Sequence, residues 1–242
     1  MTLLSLAAIN YESAEDALVK SQERINFAAV KLITPTEPER LSAAVTWEQC
    51  PPLRLRGPGI DDYSHYCIYD LWRHVDTDYC LVIQGDGYVI NPGMWSNEFL
   101  QYDYIGAPWP KSSTAYIDPF GQQQRVGNGG FSLRSRKLLT VPLRTNIPWD
   151  VNADDFYAHQ DAGLLHEDGN ICVHNKHLYE SDGCQFAPVG VAVHFSQELP
   201  VPEALGVTPF GFHRYLPNSA QKSQVTGVRG LLKRFGKHRE LD

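Results

Sequence analysis

The sequence predicts a single α/β domain whose central sheet is mixed and mainly parallel, with helices on its flanks. Two β-prone apolar runs, Thr2 to Ile9 and Phe27 to Ile33, bracket a segment with helical punctuation. That is a strand–helix–strand unit, which implies parallel strands and a right-handed crossover. Tyr79-Cys-Leu-Val-Ile83 is apolar throughout, the pattern of a strand buried on both faces of a sheet. The chain has 242 residues, 43% hydrophobic and 20% charged, enough for one full core. It shows no internal repeat and no second core.

The elements follow in order. Asn10 and Tyr11 end the first strand, and Ser13 with Asp16 three residues on resembles a capping box, predicting a helix to about Asn26. Thr34-Pro35 closes the second strand. Residues 35–59 are rich in Pro and Gly, with one short strand expected near Ala44 to Trp47. Asp61 to His74 reads as a helix.

The strand 79–83 stops at Gln84-Gly85-Asp86-Gly87, and Tyr88-Val-Ile90 starts a new apolar run. Gly85 and Gly87 let the backbone turn and leave room beside it. Asp86 is thereby placed at the carboxyl end of a central strand, where ligand sites of open α/β sheets collect. A tight turn with a solvated Asp is the plainer reading of the same residues. Trp95 to Leu100 suggests a short helix. Residues 111–125 form a long polar loop of the kind that serves as a lid, expected to be mobile until a ligand binds. Val126-Gly-Asn-Gly-Gly-Phe-Ser-Leu133 leads into a strand, and Ser135 begins a helix to Leu139. Ala187 to Phe195 is apolar and reads as β.

Composition removes several functions. A net charge of −7 argues against general nucleic-acid binding. Five cysteines without a CxxC pair read as reduced thiols of a cytosolic protein. The amino terminus has no secretory pattern, and no run of about 18 apolar residues occurs. The GNGGFS segment lacks the Lys-Ser/Thr of a P-loop and the spacing of a dinucleotide fingerprint. His174 and His177 are three apart, with His159 and His166 nearby, yet no zinc motif is completed. From Lys222 to Asp242 there are six Lys/Arg and two acids; that net +4 within a chain of −7 leaves −11 on the rest. Val225, Val228, Leu232 and Phe235 share one helical face there, so residues 218–242 read as a basic amphipathic tail able to touch an anionic membrane, or as a solvated terminus, while residues 1–217 form the domain.

Taken in order, QGDG at a strand end, YDYIGAPW at 102–109, VGNGGFSLRSRKLL at 126–139, Glu167-Asp168 and PFGFH at 209–213 resemble one family. It is a group of mainly microbial domains regarded as GT-A-type glycosyltransferases; the fringe-like and β-1,3-galactosyltransferase-like enzymes are more distantly similar. The resemblance implies a GT-A-like nucleotide-sugar-binding domain that moves a sugar, with inversion, from a UDP-linked donor to a glycan or glycolipid hydroxyl. It implies a Mn²⁺ or Mg²⁺ held by Asp86 and His213. The family's first motif acid is here Gln84, so Asp86 is the motif's one anionic ligand. Asp168, with Glu167 as the alternative, falls where such enzymes keep their base. Asn128, Gly129 and Gly130 would line the donor sugar, and Asn10 and Thr34 would flank the base. Tyr104, Ala107 and Trp109 would wall the acceptor. The resemblance also leaves open a sugar-nucleotide-binding protein without turnover, which Gln84 favours, and a metallohydrolase using the His-rich segment. A cytoplasmic location, at the inner face of the membrane if the tail binds lipid, completes the expectation.

Overall fold

In the computed structural model, residues 1–9, 11–53, 60–149 and 166–214 are described. The expected tail, Asn10 and His159 lie outside them.

Six strands form the main sheet in the order β3-β2-β1-β4-β6-β5. They are β1 (Thr2–Leu6), β2 (Ala29–Thr34), β3 (Thr46–Gln49), β4 (Tyr79–Ile83), β5 (Tyr104–Ile105) and β6 (Phe131–Ser135). β1 pairs in parallel with β2 and β4, and β2 with β3. β6 runs antiparallel to both β4 and β5. The sheet is thus mixed and mainly parallel, as the sequence predicts. The short third strand begins two residues later than expected, where the Trp47 indole donates to the Thr34 hydroxyl at 2.8 Å.

Helices cover both faces. α1 (Tyr11–Ser21) buries Ala14, Ala17, Leu18 and Ser21, an i, i+3, i+4, i+7 stripe. It starts two residues before the predicted cap and ends five before Asn26. α2 (Ile60–Tyr69) continues as a 3-10 turn, Leu71–His74. α3 (Arg136–Leu139) is capped by the Ser135 hydroxyl, which accepts from Leu138 N–H at 3.0 Å. α4 (Glu167–Gly169) runs into a π-helical segment, Asn170–His174, followed by α5 (Lys176–Ser181).

Side chains alternate across the sheet. Leu4, Leu6, Cys80 and Val82 pack under α2 with Tyr66, Cys67 and Ile68. Leu3, Leu81 and Ile83 face α1 on the other side. Burial on both faces is why β1 and β4 read as unbroken apolar runs. All five cysteines are buried free thiols.

The segment expected as a strand from Ala187 is instead α6 (Val189–Phe195), which buries Ala192, Val193 and Phe195. A short apolar run does not separate a buried helix from a strand, and here packing against Phe99, Phe131 and Phe210 overrides the β propensity of its valines. Its end feeds β7 (Ser196–Gln197), which pairs in parallel with β8 (Gly211–Phe212) as a second, two-stranded sheet. The short helix expected over Trp95 to Leu100 is a 3-10 helix, Asn97–Gln101.

Residues 111–125 contain no strand or helix beyond one isolated bridge, Ile117 to Gln123. The segment nevertheless has its own framework. Tyr116 stacks on Trp109 at 4.0 Å and 2°. Asp118 accepts from the N–H groups of Phe120 and Gln122 and from the Gln124 amide. Arg125 makes a two-pronged pair with Glu203 at 2.9 and 3.2 Å. Among the described residues no helix is long and apolar enough to cross a membrane.

Candidate active site

The carboxyl end of β4 and the short β7–β8 sheet meet at one point. Gln84 N–H extends the β4–β6 ladder by donating to Gly130 C=O at 2.8 Å, and Gly87 N–H turns back onto Gln84 C=O at 3.0 Å. Asp86 is left exposed at the tip of that turn. From the other side, His213 N–H bonds Gln197 C=O, and Arg214 N–H bonds Asp86 C=O, each at 3.0 Å. These backbone bonds bring two positions 127 residues apart into one cluster.

The His213 ring is the centre of that cluster. Its Nε2 lies 3.0 Å from Asp86 Oδ1 and 3.1 Å from Gln84 Oε1. Its Nδ1 lies 3.0 Å from Glu198 Oε1. Glu198 in turn accepts from the Asn128 amide at 2.6 Å, and the Gln84 amide donates to the Tyr63 hydroxyl at 2.9 Å. Burial disfavours charge on His213, but its bonds to Asp86 and Glu198 outweigh that and raise it to about 9. Burial would likewise raise Asp86, and the His213 hydrogen bond and charge hold it below its ordinary value.

This donor set fits a hard to borderline divalent cation such as Mn²⁺ or Mg²⁺. A carboxylate oxygen, an amide oxygen and an imidazole nitrogen converge, while a carboxylate on Nδ1 orients the ring and leaves Nε2 to face the other two. Among the described residues there is no cluster of three or more His, Cys, Asp or Glu side chains suited to a metal, so the Gln84 oxygen is needed as the third donor. Glu198 escaped the sequence reading, because it lies in a polar loop without a motif. The register supplies it: Gln197 is opposite Phe212, so the next residues along, Glu198 and His213, are neighbours.

Asp168 lies beside Gly129, the residue before the Gly130 that pairs with Gln84. Gly129 N–H donates to Asp168 Oδ2 at 3.2 Å, and Gly169 N–H to its Oδ1 at 2.8 Å. A side chain on Gly129 would overlap the Glu167 carboxylate, and one on Gly130 would overlap the His213 ring. Two adjacent glycines thus have the acidic pair on one side and the histidine on the other. Their lack of side chains makes room for these protein groups on both sides.

The acidic pair divides into two environments. Glu167 is 5% exposed and pairs at 3.2 Å with Arg134, itself wholly buried. Burial, then the Asp168 charge, push the Glu167 carboxyl up, with Arg134 pulling the other way. Asp168 is half-buried. Glu167 is therefore committed to Arg134, and Asp168 is the more exposed of the two.

Other expected residues are placed differently. Tyr104 and Ala107 are 0% and 1% exposed, and Trp109 is 3% exposed with one ring face taken by Tyr116 and its edge over Gly127. They are core residues and offer no acceptor wall; bulky aromatics are core filler as readily as stacking platforms. Thr34 ends β2 at the expected edge, but its hydroxyl is spent donating to Thr36 C=O at 2.7 Å and accepting from Trp47. Gly85 packs against Ser13 of α1, and Gly87 against the Phe212 carbonyl. Asn128 bonds Glu198 and Gly130 N–H. Two non-glycine residues here hold left-handed backbone, Asn128 at φ 66° and Arg214 at φ 64°, strain of the kind that gathers at functional sites.

Comparison with known proteins agrees with this architecture. The crystal structure of the galactosyltransferase LgtC in complex with donor and acceptor sugar analogues superposes with a TM-score of 0.51 and 11% identity, over 90% of this chain and 88% of that one. An active-site mutant of LgtC gives the same values. The apo form of the glycosyltransferase GlyE of Streptococcus pneumoniae TIGR4 covers 89% of this chain and 54% of its own at 12% identity, but its TM-score of 0.46 is too low to bear on the fold. At such identities the likeness to LgtC is one of fold, and the fold is GT-A-like. No curated protein matches the sequence. A family model does, over residues 58–213, more than half of the chain and including Gln84, Asp86, Asp168, Glu198 and His213: the chain belongs to the family described as a protein of unknown function, DUF5672.

Proposed function

We propose that the protein is a glycosyltransferase that moves a sugar from a UDP-linked donor to a hydroxyl of a glycan or glycolipid acceptor, with a divalent metal and with inversion. One observation carries the reading. In a GT-A-like fold, Gln84, Asp86 and His213 converge at the end of β4, and Asp168 is bonded to the N–H of Gly129, the neighbour of the Gly130 that lies against the His213 ring.

Asp86, His213 and Gln84 would hold Mn²⁺ or Mg²⁺, with Glu198 fixing the imidazole. When bound, the cation offsets negative charge on the diphosphate. The Arg214 guanidinium, exposed and 3.7 Å from Glu198, is a cation of this chain that can meet the same phosphates. Asp168 takes the proton of the acceptor hydroxyl as that oxygen attacks the anomeric carbon, while the bond from that carbon to the diphosphate breaks and UDP leaves with the electron pair. The Gly129 N–H bond holds its carboxylate in place for this. A binding protein without turnover is the second reading, supported by Gln84 standing where an acid is expected and being tied to Tyr63.

The test is a panel of nucleotide sugars with and without Mn²⁺, read by thermal stabilisation, nucleotide release and product NMR. A new glycosidic bond with inverted configuration is the expected result. Retained configuration removes the need for Asp168 as base, release to water alone indicates a hydrolase, and binding without chemistry favours the second reading.

A further inference from the structure

A cavity of about 300 Å³ lies between the turn at 117–123 and α5, outside the cluster around His213. That is at the lower end of the range for small-molecule sites, about 300–1,000 Å³. Its walls are polar: Gln122 and Gln124 from the turn, Lys176, His177 and Glu180 from α5, with Val173 as a floor. One aromatic ring, Phe120, completes it and is 67% exposed.

Two features point to a ligand. The first is how firmly the exposed ring is presented. Asp118 accepts from Phe120 N–H and Gln122 N–H, both at 2.9 Å, and Gly121 at φ 80° lets the chain close the turn. The whole segment is fastened at its base by the Tyr116–Trp109 stack and the Arg125–Glu203 pair. A fixed, exposed aromatic over a polar cavity is a surface waiting for an apolar face. The second is His177. Its ring meets Phe120 edge-on at 5.1 Å and 89°, yet its buried Nδ1 has no hydrogen-bond partner. Buried polar atoms without partners are rare and call for an explanation.

We propose that this cavity is a carbohydrate subsite that takes one neutral pyranose unit of the acceptor. The assignment rests on the glycosyltransferase reading for the word acceptor, and on the cavity's own chemistry for the word carbohydrate. A pyranose has an apolar C–H face for Phe120 and hydroxyls around its rim that both donate and accept. The carboxamides of Gln122 and Gln124 suit those hydroxyls, and the His177 ring backs Phe120. An apolar ligand would leave these groups unpaired. An anionic sugar is disfavoured, since Asp118 and Glu180 stand against the single cation Lys176, and Lys176 is already paired with Glu180 at 2.8 Å. Val173 lies five residues beyond Asp168 on the same helical run, so the cavity is built on the element that carries the acidic pair.

The test uses the full-length protein with methyl glucosides, methyl galactosides, lactose, maltose and glucuronic acid as probes. Saturation-transfer NMR and calorimetry read sugar binding; calorimetry with UDP and Mn²⁺ reads the donor site. The proposal expects a neutral pyranoside to bind and to shift the His177 ring protons. It expects Phe120→Ala and His177→Ala each to weaken that binding at least about tenfold, Phe120→Tyr to retain it, and UDP–Mn²⁺ affinity to stay unchanged in all three. Phe120 is exposed, so its loss leaves the core intact. Absence of binding by every probe, binding that survives both alanine substitutions, or preference for glucuronic acid overturns the proposal. If pyranosides bind through Phe120 while UDP–Mn²⁺ does not bind at all, the donor reading fails and the sugar site stands. If UDP–Mn²⁺ binds and transfer proceeds with an acceptor KM unmoved by either substitution, the sugar site fails alone.

Discussion

Two histidines of this fold, His74 and His213, are each held at Nδ1 by a glutamate, and what lies beyond the other ring nitrogen separates them. At His74 the glutamate is Glu48, and Nε2 faces the buried Tyr66 hydroxyl at 2.7 Å. The chain closes there: Glu48 also pairs with Lys31 at 2.7 Å, and Lys31 with Asp76 at 3.3 Å. At His213 the glutamate is Glu198, and Nε2 ends on Gln84 and on the exposed Asp86. Both rings are buried to a similar degree, 6% and 5% exposed. A carboxylate-oriented histidine is therefore not in itself a sign of function. The sign is an open end, where a ring nitrogen meets oxygens that solvent or a ligand can also reach.

The comparison breaks first on substitution of the rings. His213→Ala, like Asp86→Ala, is expected to abolish Mn²⁺-dependent UDP binding and turnover while the circular dichroism spectrum stays unchanged. His74→Ala should keep that binding and instead cost about 1–3 kcal/mol of stability, since it strands a buried tyrosine hydroxyl. Calorimetry on both variants decides; equal UDP–Mn²⁺ affinity in His213→Ala and the parent would mean the cation lies elsewhere. Next in size is Asp168→Asn, which removes basicity and can keep only one of the two bonds that Asp168 accepts from Gly129 and Gly169 N–H. Transfer should fall by about 10²–10⁴-fold with UDP–Mn²⁺ affinity near the parent's. Glu167→Gln should act through stability, because it takes the charge from Arg134's partner. Smaller again is Glu198→Gln, which leaves an acceptor for His213 Nδ1 but a weaker one. Loss of such an outer partner costs about 10–100-fold in metal affinity. An unchanged Mn²⁺ titration in that variant would assign Glu198 to folding alone.

The sheet was legible because its signals are local. β1, β2 and β4 are apolar runs cut by Asn, Thr-Pro or Gly, and α1 carries its stripe in sequence. Asp86 was legible for the same reason, as the acid that follows a buried strand. His213 came only through resemblance, since nothing within the chain links positions 86 and 213 before β7 and β8 pair. Glu198 was invisible, because its role is set by the β7–β8 register and not by its neighbours. The aromatic wall misled: Tyr104 and Trp109 look like stacking surfaces in a string, and only packing shows that the core consumes them. The valines of α6 misled in the same way, with tertiary contacts outweighing propensity. At Gly129 and Gly130 the groups in close approach are Glu167 and His213, contacts that the run of glycines could not name before the fold brought them together.

The smallest expected effect concerns the closed histidine and shows whether its network is electrostatic or packed. Burial alone would raise the Glu48 carboxyl, but hydrogen bonds from Lys31 and His74 outweigh it and hold the group below its ordinary 4.5. Burial would lower Lys31, and its hydrogen bonds to Glu48 and Asp76 outweigh that and raise it above 10.5. A carboxyl with a depressed folded pKa contributes stability that is present above its unfolded value and lost as pH falls through the folded one. A lysine with a raised pKa contributes below its unfolded value and loses that contribution as pH rises through the folded one. Glu48→Gln can still accept from His74 but leaves Lys31 with Asp76 alone, and Asp76 is largely exposed. Because Glu48 is partly open to solvent, the cost near neutral pH is held to about 1 kcal/mol or less. Urea unfolding of parent and variant should show that gap between pH 6 and 9, narrowing as pH drops below about 4.5 and again as it climbs past about 10.5. A gap of constant size from pH 3 to 11 would show that the side chains at the closed histidine matter through shape, with the charges contributing nothing.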